Sequence, residues 1–369
     1  MPPVIAMPRK IKVLIVDDSA IVRNILSEAI AAEPDMEVVG TAPDPYVARD
    51  KILALNPDVL TLDIEMPRMD GITFLKRLMH HHPIPTIIIS SLGQSSCAAT
   101  LEALRCGAVD VLAKPAGPYS VGDLRKSLAA RIRGAAGARP RIARDLAADI
   151  PQLPKITAAP MLTVDSRTVI AIGASTGGTV AIQEILLQLS PDMPPILVTQ
   201  HIPAGFSLAF ANRLNKLCSM EVREAVGGDT LRRGLALVAP GDYHLVLRRA
   251  GAGYAVELQQ GPQVCYQRPS VDVMFASVVQ AAGSHGIGVL LTGMGTDGAK
   301  GLLALRRAGA TTIAQDEPSC VVYGMPREAK RIDAVGTVAS LTDIPGILTR
   351  AARPTAAGVA TKQIAHGDL

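Results

Sequence analysis

Residues 11–18 read I-K-V-L-I-V-D-D, a short run rich in isoleucine and valine that ends in two aspartates. The length of the run and its Ile and Val content predict a buried strand. Helical apolar spacing follows at Ile21, Ile25 and Ala29, and Ser19 is placed to cap that helix. A strand that leads directly into a helix is the repeating unit of a parallel sheet covered by helices.

The same alternation of strand and helix continues along the chain as far as residue 133. Further strands are predicted at E-V-V-G-T-A, D-V-L-T-L-D, T-I-I-I-S and D-V-L-A-K. Helices are predicted between and after them, at residues 45–55, 71–80, 95–106 and 122–133. Five βα units in this length indicate a doubly wound parallel sheet. We therefore expect an α/β domain over residues 10–133.

The composition changes after this domain. Residues 134–165 are rich in Ala, Arg and Pro without sustained periodicity, which predicts an interdomain linker. A second and larger α/β pattern covers residues 166–353, and residues 354–369 are expected to form a disordered tail. The strands of the second pattern are predicted at 169–173, 195–200, 235–239, 244–248, 287–292 and 311–314, and its clearest helices at 179–189, 270–282 and 298–307. The fold class expected is thus α/β, with two doubly wound parallel-sheet domains.

The composition argues against several classes of protein. Hydrophobic residues make up 48% of the chain and aromatic residues 3%, a bias that suits parallel strands buried on both faces. The net charge of +4 is small for 369 residues, which indicates neither a nucleic-acid partner nor a membrane surface. The five cysteines are widely spaced, without a C-x-x-C pair, and predict neither disulfides nor a zinc site. With no signal-peptide pattern and no apolar run of roughly 18–20 residues, we expect a cytoplasmic protein without membrane insertion.

Polar residues follow four of the strands predicted in the first domain. Asp17 and Asp18 follow the first strand and Asp63 ends the third, so the three carboxylates meet at one edge of the sheet. Carboxylate oxygens crowded in this way suit Mg²⁺, which would let Asp63 attack a phosphoryl group. Ser90 ends the fourth strand and can hydrogen-bond that group, while Lys114 ends the fifth and can pair with its charge. Each residue alone also fits an ordinary turn or cap; their combination favours a phosphorylation site.

With these motifs the first domain resembles the receiver domain of a response regulator. The resemblance implies that Asp63 is the phosphoacceptor and that Asp18, Asp63 and the backbone carbonyl of Glu65 bind Mg²⁺, with Asp17 completing the acidic pocket. It also implies a histidine kinase as the phosphodonor. The chain departs from the family pattern at Val111, where many receivers have an aromatic switch residue.

The second domain begins with V-I-A-I-G-A-S-T-G-G, a strand followed by a glycine-rich turn and a helix. Gly173 and Gly177 flank Ser175 as G-x-S-x-G, the spacing of a nucleophile elbow, and the following helix start offers N–H groups to an oxyanion. The same turn also resembles a dinucleotide-binding loop, which predicts an acidic residue at the end of the next strand. Gln200 and His201 stand there instead, and a histidine favours a base for Ser175.

A carboxylate is expected to orient His201. Asp297, in L-L-T-G-M-G-T-D-G, follows a strand and a glycine-rich turn, so it should lie at the same edge of the sheet as Ser175. Asp242, in A-P-G-D-Y-H, is the rival acid, although its P-G-D turn has an ordinary structural explanation. From the geometry of the turns, we expect the backbone N–H groups near Thr176 and Met294 to form the oxyanion site.

The motifs I-G-A-S-T-G-G, Q-H-I-P, A-P-G-D-Y-H, L-L-T-G-M-G-T-D-G and Q-D-E-P-S-C-V-V-Y-G-M-P resemble the chemotaxis protein-glutamate methylesterases, the CheB family. The resemblance covers both domains and implies that Ser175, His201 and Asp297 form a catalytic triad without a cofactor. It implies hydrolysis of γ-glutamyl methyl esters on methyl-accepting chemotaxis receptors, with release of methanol, and deamidation of certain receptor glutamines. The implied protein is a phosphorylation-activated hydrolase of a two-component signalling pathway.

Two other functions remain open at this stage. A receiver can be joined to a DNA-binding domain, but the second half has only scattered basic residues and no compact helix-turn-helix pattern. An inactive second domain could instead dock on a receptor without hydrolysing it. The arrangement of Ser175, His201 and Asp297 in space distinguishes this last alternative from an enzyme.

Overall fold

The computed structural model describes residues 9–91, 93–114, 121–138 and 167–353. The chain divides into two compact units, with the boundary between Arg144 and Asp145. Most of the predicted linker, from residue 139 to 165, and the whole predicted tail, 354–369, lie outside the described residues.

The first unit contains a parallel sheet with helices between its strands. The strands are β1 (Ile11–Val16), β2 (Met36–Ala42), β3 (Val59–Asp63), β4 (Thr86–Ser90) and β5 (Asp110–Ala113). The helices are α1 (Ala20–Ala31), α2 (Pro45–Leu55), α3 (Gly71–His81), α4 (Gln94–Arg105) and α5 (Val121–Ala136). The strand order is β2-β1-β3-β4-β5, and each pair is parallel.

Local sequence explains where several of these helices begin. The side chains of Ser19, Asp44 and Asp70 each accept a hydrogen bond from a backbone N–H group in the first turn of α1, α2 and α3, respectively. Such caps satisfy donors that have no partner inside the helix. Strands β3 and β4 are buried at every residue, as their apolar runs predict for a sheet covered on both faces.

The second unit contains a larger parallel sheet and a separate antiparallel hairpin. Its strands are β6 (Val169–Ala174), β7 (Ile196–Gln200), β8 (Glu221–Glu224), β9 (Leu235–Val238), β10 (His244–Ala250), β11 (Gly253–Gln259), β12 (Gly286–Leu290), β13 (Thr311–Gln315) and β14 (Thr337–Ala339). Its α-helices are α6 (Gly178–Leu187), α7 (Phe206–Leu217), α8 (Val271–Ala282), α9 (Ala299–Arg307), α10 (Met325–Arg331) and α11 (Ile344–Ala351). The parallel sheet has the order β14-β13-β12-β6-β7-β9-β8, while β10 and β11 form a separate two-stranded antiparallel sheet.

Each sheet reverses its strand order at one point. In the first sheet β1 lies between β2 and β3, and in the second β6 lies between β12 and β7. Ligands of doubly wound sheets bind at such points, outside the carboxyl ends of the two central strands. The residues after β1 and β3, and those after β6 and β12, are therefore the expected places for functional sites. The predicted fold class is confirmed.

Candidate functional sites

Ser175 lies in the tight turn between β6 and α6 and is 7% exposed. Its N–H group donates to the carbonyl of Thr292 at 3.0 Å, and its own carbonyl accepts from the N–H group of Gly178 at 2.7 Å. Gly177 has a φ of +79°, a conformation that favours glycine, and a Cβ there would lie 2.6 Å from Cβ of Val321. The glycine is therefore required both by the turn and by the side chain packed against it.

His201 directly follows β7 and is tied to the serine turn. Its N–H group donates to the carbonyl of Ala174, the residue before Ser175, at 3.1 Å. Its Nε2 atom lies 2.8 Å from Oδ2 of Asp297, and both side chains are almost fully buried. Among the described residues, Nδ1 of His201 is a buried nitrogen without a hydrogen-bond partner. Because Nε2 is engaged by the carboxylate, Nδ1 is the ring nitrogen that can exchange a proton.

Asp297 follows β12 in the turn before α9, and its carboxylate accepts three further hydrogen bonds. Oδ1 accepts from Oγ of Ser270 at 2.7 Å and from the N–H group of Asp272 at 3.0 Å. Oδ2 accepts from the N–H group of Val271 at 2.7 Å. Burial acts to raise the pKa of Asp297, but the hydrogen bond and charge of His201, together with these donors, hold it below the ordinary value of 3.8. Asp297 is therefore an anion at neutral pH, fixed by four donors.

The first unit gathers carboxylates at the ends of β1 and β3. Asp17 and Asp63 are each 1% exposed, and Asp18 is exposed beside them. The Nζ atom of Lys114 lies 2.8 Å from Oδ2 of Asp63 and 3.2 Å from Oδ2 of Asp17. One carboxylate oxygen from each of the three aspartates lies within 4.8 Å of the others. These all-oxygen donors fit Mg²⁺.

Burial is the main cause that raises the pKa of both Asp17 and Asp63, and the charge of Lys114 acts against it. Burial also acts to lower the pKa of Lys114, but the hydrogen bond and charge of Asp63 outweigh it and the pKa is raised. A carboxyl group with a raised pKa in the folded state contributes stability below its unfolded pKa and loses it as the pH rises through the folded pKa. Ionising the carboxyl groups of this pocket therefore costs stability, and a bound cation would offset that cost.

Comparison with known proteins matches both halves of the chain. Residues 170–348 match the CheB methylesterase family, and residues 13–126 match the response regulator receiver domain. The protein-glutamate methylesterase/protein-glutamine glutaminase 2 of Syntrophus aciditrophicus (strain SB) is 55% identical over 341 residues, which cover 92% of this chain and 99% of that protein. The chain belongs to the CheB methylesterase family.

A second relative agrees with this assignment. The protein-glutamate methylesterase/protein-glutamine glutaminase of Chromohalobacter salexigens is 52% identical over 347 residues, covering 93% of this chain and 96% of that protein. The crystal structure of the Thermotoga maritima CheB methylesterase catalytic domain is 35% identical and covers 50% of this chain and 97% of that chain, with a TM-score of 0.49. The predicted resemblance to CheB methylesterases is confirmed. Across the described residues of this CheB-family chain, no helix has the length and apolarity needed to cross a membrane.

Two buried glutamines that the sequence analysis did not assign hold the serine turn. Nε2 of Gln200, at the end of β7, donates to the carbonyl of Ser175 at 2.8 Å and to that of His201 at 3.3 Å. Oε1 of Gln315, at the end of β13, accepts from the N–H group of Thr292 at 2.8 Å, and the carbonyl of Thr292 in turn accepts from Ser175. Both glutamines are polar residues at the end of a buried strand segment. A polar side chain in such a position indicates a hydrogen-bonding role, and this pattern is visible in the sequence.

The rival acid, Asp242, is engaged elsewhere. Its Oδ1 atom accepts from Nε of Arg268 at 3.0 Å and from Nη2 at 2.6 Å, and its side chain is 56% exposed. Its φ of +70° places it in a turn conformation that aspartate tolerates. The carboxylate that the structure brings to His201 is that of Asp297.

The residues expected at the oxyanion site lie in two connected turns. Oγ1 of Thr292 donates to the carbonyl of Thr176 at 3.0 Å. The carbonyl of Gly293, next to Met294, accepts from the N–H groups of Gly324 at 3.1 Å and Met325 at 2.8 Å. The role of the Thr176 and Met294 backbone in binding an oxyanion stays a prediction.

Ser90 and Glu65 flank the acidic pocket of the receiver unit. Ser90 is 1% exposed, and its Oγ donates to the carbonyl of Ser91 at 3.4 Å. The N–H group of Glu65 donates to Oδ1 of Asp63 at 3.2 Å, and its carboxylate accepts from the hydroxyl groups of Ser91 and Ser96. The structure thus brings Ser90 and Glu65 to the pocket; the Glu65 carbonyl as a metal ligand stays a prediction.

We expect Gly293→Ala to reduce esterase activity by at least about tenfold, because a small displacement of a reacting group has an effect of that order or larger. A Cβ at Gly293 would lie 2.6 Å from Cβ of Ser175 and 2.4 Å from Sδ of Met325. The new methyl group must therefore displace the serine turn. The rate of p-nitrophenyl acetate hydrolysis measures the effect, with circular dichroism as a check on folding.

Gly227→Ala is the matched control for this substitution. A Cβ at Gly227 meets nothing within 4 Å, so its activity should equal that of the wild type. Equal activities of the two variants would show that the close approach of Gly293 to Ser175 has no part in catalysis.

Proposed function

We propose that this chain is a serine hydrolase, activated by phosphorylation, that removes methyl esters from γ-glutamyl side chains of chemotaxis receptors and deamidates receptor glutamines. The observation that carries the proposal is the state of His201: its Nε2 is held by Asp297 at 2.8 Å, and its buried Nδ1 has no partner among the described residues. The relatives are named protein-glutamate methylesterase/protein-glutamine glutaminase, and these names supply the substrate class.

In the first half of the reaction Ser175 is the nucleophile. Nδ1 of His201 takes the proton of the Ser175 hydroxyl as Oγ forms a bond to the ester carbonyl carbon, and Asp297 stabilises the imidazolium. The tetrahedral intermediate collapses when the C–O bond to the methoxy group breaks. His201 returns the proton to that leaving oxygen, so methanol departs and a glutamyl ester on Ser175 remains.

In the second half water replaces the serine. Nδ1 of His201 takes one proton from the water as its oxygen attacks the acyl carbon, and then gives a proton to Oγ of Ser175 as that bond breaks. The products are free serine and a receptor glutamate. For a glutamine substrate the leaving group of the first half is ammonia, and the second half is unchanged. The N–H groups of Thr176 and Met294 are proposed to bind the oxyanion in both halves.

In the receiver unit we assign Asp63 as the phosphoacceptor. Lys114, 2.8 Å from Asp63, is positioned to pair with the charge of the phosphoryl group, and Ser90 to hydrogen-bond it. Asp18, Asp63 and the backbone carbonyl of Glu65 would hold Mg²⁺, with Asp17 completing the pocket, and the bound ion supplies positive charge for phosphoryl transfer. The proposed partners are a chemotaxis histidine kinase as phosphodonor and methyl-accepting receptors as substrates, in the cytoplasm.

The proposal is tested by methanol release from methylated receptor membranes, with and without Mg²⁺ and acetyl phosphate, using the full chain. The wild type should release methanol faster when both are added. Asp63→Asn should keep the unstimulated rate and lose the increase, because an amide cannot accept the phosphoryl group. Asp50→Asn, which changes an exposed aspartate of the same unit, should respond like the wild type.

Two outcomes would contradict this assignment. A full response of Asp63→Asn to acetyl phosphate would place the phosphoacceptor at another residue. No methanol from a wild-type protein that is phosphorylated would exclude the proposed substrate and favour a receptor-docking function.

A further inference from the structure

We propose that Tyr266 is a docking residue that packs against the receptor polypeptide beside the esterified glutamate. The inference rests on the proposed function and concerns how the chain recognises a large substrate. Tyr266 is 85% exposed, the largest exposed fraction among the large hydrophobic side chains described. Tyrosine is enriched at interfaces because its ring buries a large apolar area while its hydroxyl group stays hydrated, so an exposed ring beside a reaction site is suited to contact with a partner.

The backbone displays this ring in an unusual turn. Cys265 and Tyr266 have φ values of 52° and 62°, and flanking residues Val264 and Gln267 exchange backbone hydrogen bonds of 3.1 and 2.9 Å. Two central residues with positive φ are typical of a tight hairpin turn built from Asn and Gly. A tyrosine is disfavoured in this conformation, so local backbone preference does not explain its presence.

The turn lies next to the residues proposed for catalysis. Sγ of Cys265 is 3.9 Å from Oγ1 of Thr296 and within 4.8 Å of a carboxylate oxygen of Asp297. The base of the hairpin is braced, since Nη1 of Arg268 donates to the carbonyl of Gly261 at 2.9 Å. Tyr266 follows Cys265 directly, so it is held close to the Asp297 end of the proposed triad. A receptor helix that presents one esterified glutamate to Ser175 extends well beyond that side chain, and its neighbouring residues are the proposed partner of the Tyr266 ring.

The neighbouring Cys265, Asp272 and Asp297 do not offer an alternative account as a metal site. Both oxygens of Asp297 already accept two hydrogen bonds each, from His201, Ser270, Val271 and Asp272. Burial, with the nearby carboxylates, also raises the pKa of the Cys265 thiol, which disfavours the thiolate that binds metals. The ring of Tyr266 is the large side chain that this turn exposes.

The test compares a large and a small substrate. Tyr266→Asn removes the ring and keeps a residue that adopts positive φ readily, so the turn is retained. We expect the KM for methylated receptor membranes to rise about tenfold, the size of loss typical for an aromatic interface contact. The kcat for the receptor should stay the same, because the contact is equally strong in the ground state and the transition state. The rate of p-nitrophenyl acetate hydrolysis should be unchanged.

Leu217→Asn is the matched control. Leu217 is 44% exposed and ends α7 shortly before β8 begins, so it lies at the amino edge of the sheet, opposite Ser175. The Leu217→Asn variant should have the same KM for receptor membranes as the wild type.

Several results would overturn the inference. The first is a KM for receptor membranes that is the same in Tyr266→Asn as in the wild type. The second is an equal loss of activity on p-nitrophenyl acetate, because a loss on the small ester indicates a structural role of Tyr266. A wild-type dimer in analytical ultracentrifugation that Tyr266→Asn converts to a monomer would assign the ring to a second copy of the chain. Failure of the proposed function can be distinguished from failure of this inference. In the first case the wild type itself would release no methanol from receptors.

Discussion

Ser175→Ala is expected to lower methanol release from methylated receptor membranes by roughly 10⁴- to 10⁶-fold, the loss seen when a serine nucleophile is removed from a triad. Oγ of Ser175 forms the acyl bond in the proposed mechanism, and a methyl group cannot replace it. The backbone of the turn should survive, because its hydrogen bonds to Thr292 and Gly178 use main-chain atoms. Tritiated methanol released from methyl-labelled receptors provides the sensitivity needed to measure so low a rate.

Ser190→Ala is a control for loss of a serine hydroxyl outside the site. Oγ of Ser190 accepts from the N–H group of Asp192 at 3.3 Å in the connection before β7, and this variant should keep wild-type activity. Thermal unfolding of both variants should show that each is folded. If Ser175→Ala kept its esterase activity while His201→Ala lost it, the nucleophile would have to be another group near the imidazole.

The fold of the first unit follows closely from its sequence. β3 and β4 are buried at every residue because both faces of the sheet are covered there, and such buried runs are distinct from the helical patterns between the strands. In the second unit β8, β11 and β14 lie outside the strands that the apolar patterns predict. β8 and β14 are short edge strands with one buried residue each, so neither has a continuous apolar run.

Strand β10 lies where a strand is predicted but has a different kind of partner. A strand was predicted at residues 244–248, and β10 covers His244–Ala250, but it pairs antiparallel with β11 and not with the parallel sheet. The choice of partner depends on residues distant along the chain, and the apolar pattern of one strand does not specify it.

The sequence predicts those residues of the candidate site that follow a strand. Ser175, His201 and Asp297 each follow a predicted strand, and the sheet brings those ends together. The position of Gln200 and Gln315 at strand ends is visible in the sequence, but their hydrogen-bond partners Ser175 and Thr292 are not, because those residues are distant along the chain. The choice between Asp242 and Asp297 also required the structure, which pairs Asp242 with Arg268.

Asp297→Asn is expected to lower kcat for the receptor ester by roughly 10³- to 10⁴-fold, by analogy with the loss of the orienting acid in serine proteases. Each oxygen of Asp297 accepts two hydrogen bonds, so an amide NH₂ group must face at least one backbone N–H donor. If the NH₂ group faces His201, Nε2 has to become the acceptor and the ring proton moves to Nδ1. Nδ1 can then no longer accept the proton of Ser175.

The pH dependence of stability gives an independent measurement on the same variant. The folded pKa of Asp297 lies below 3.8, so its stabilising contribution is present above pH 3.8 and is lost as the pH falls through the folded pKa. Asp297→Asn removes that contribution, and its unfolding free energy should depend less steeply on pH in this acidic range. Asp242→Asn should keep wild-type kcat, since Asp242 is paired with Arg268 at the surface. A large loss of kcat in Asp242→Asn together with an active Asp297→Asn would show that Asp242 orients His201 during catalysis.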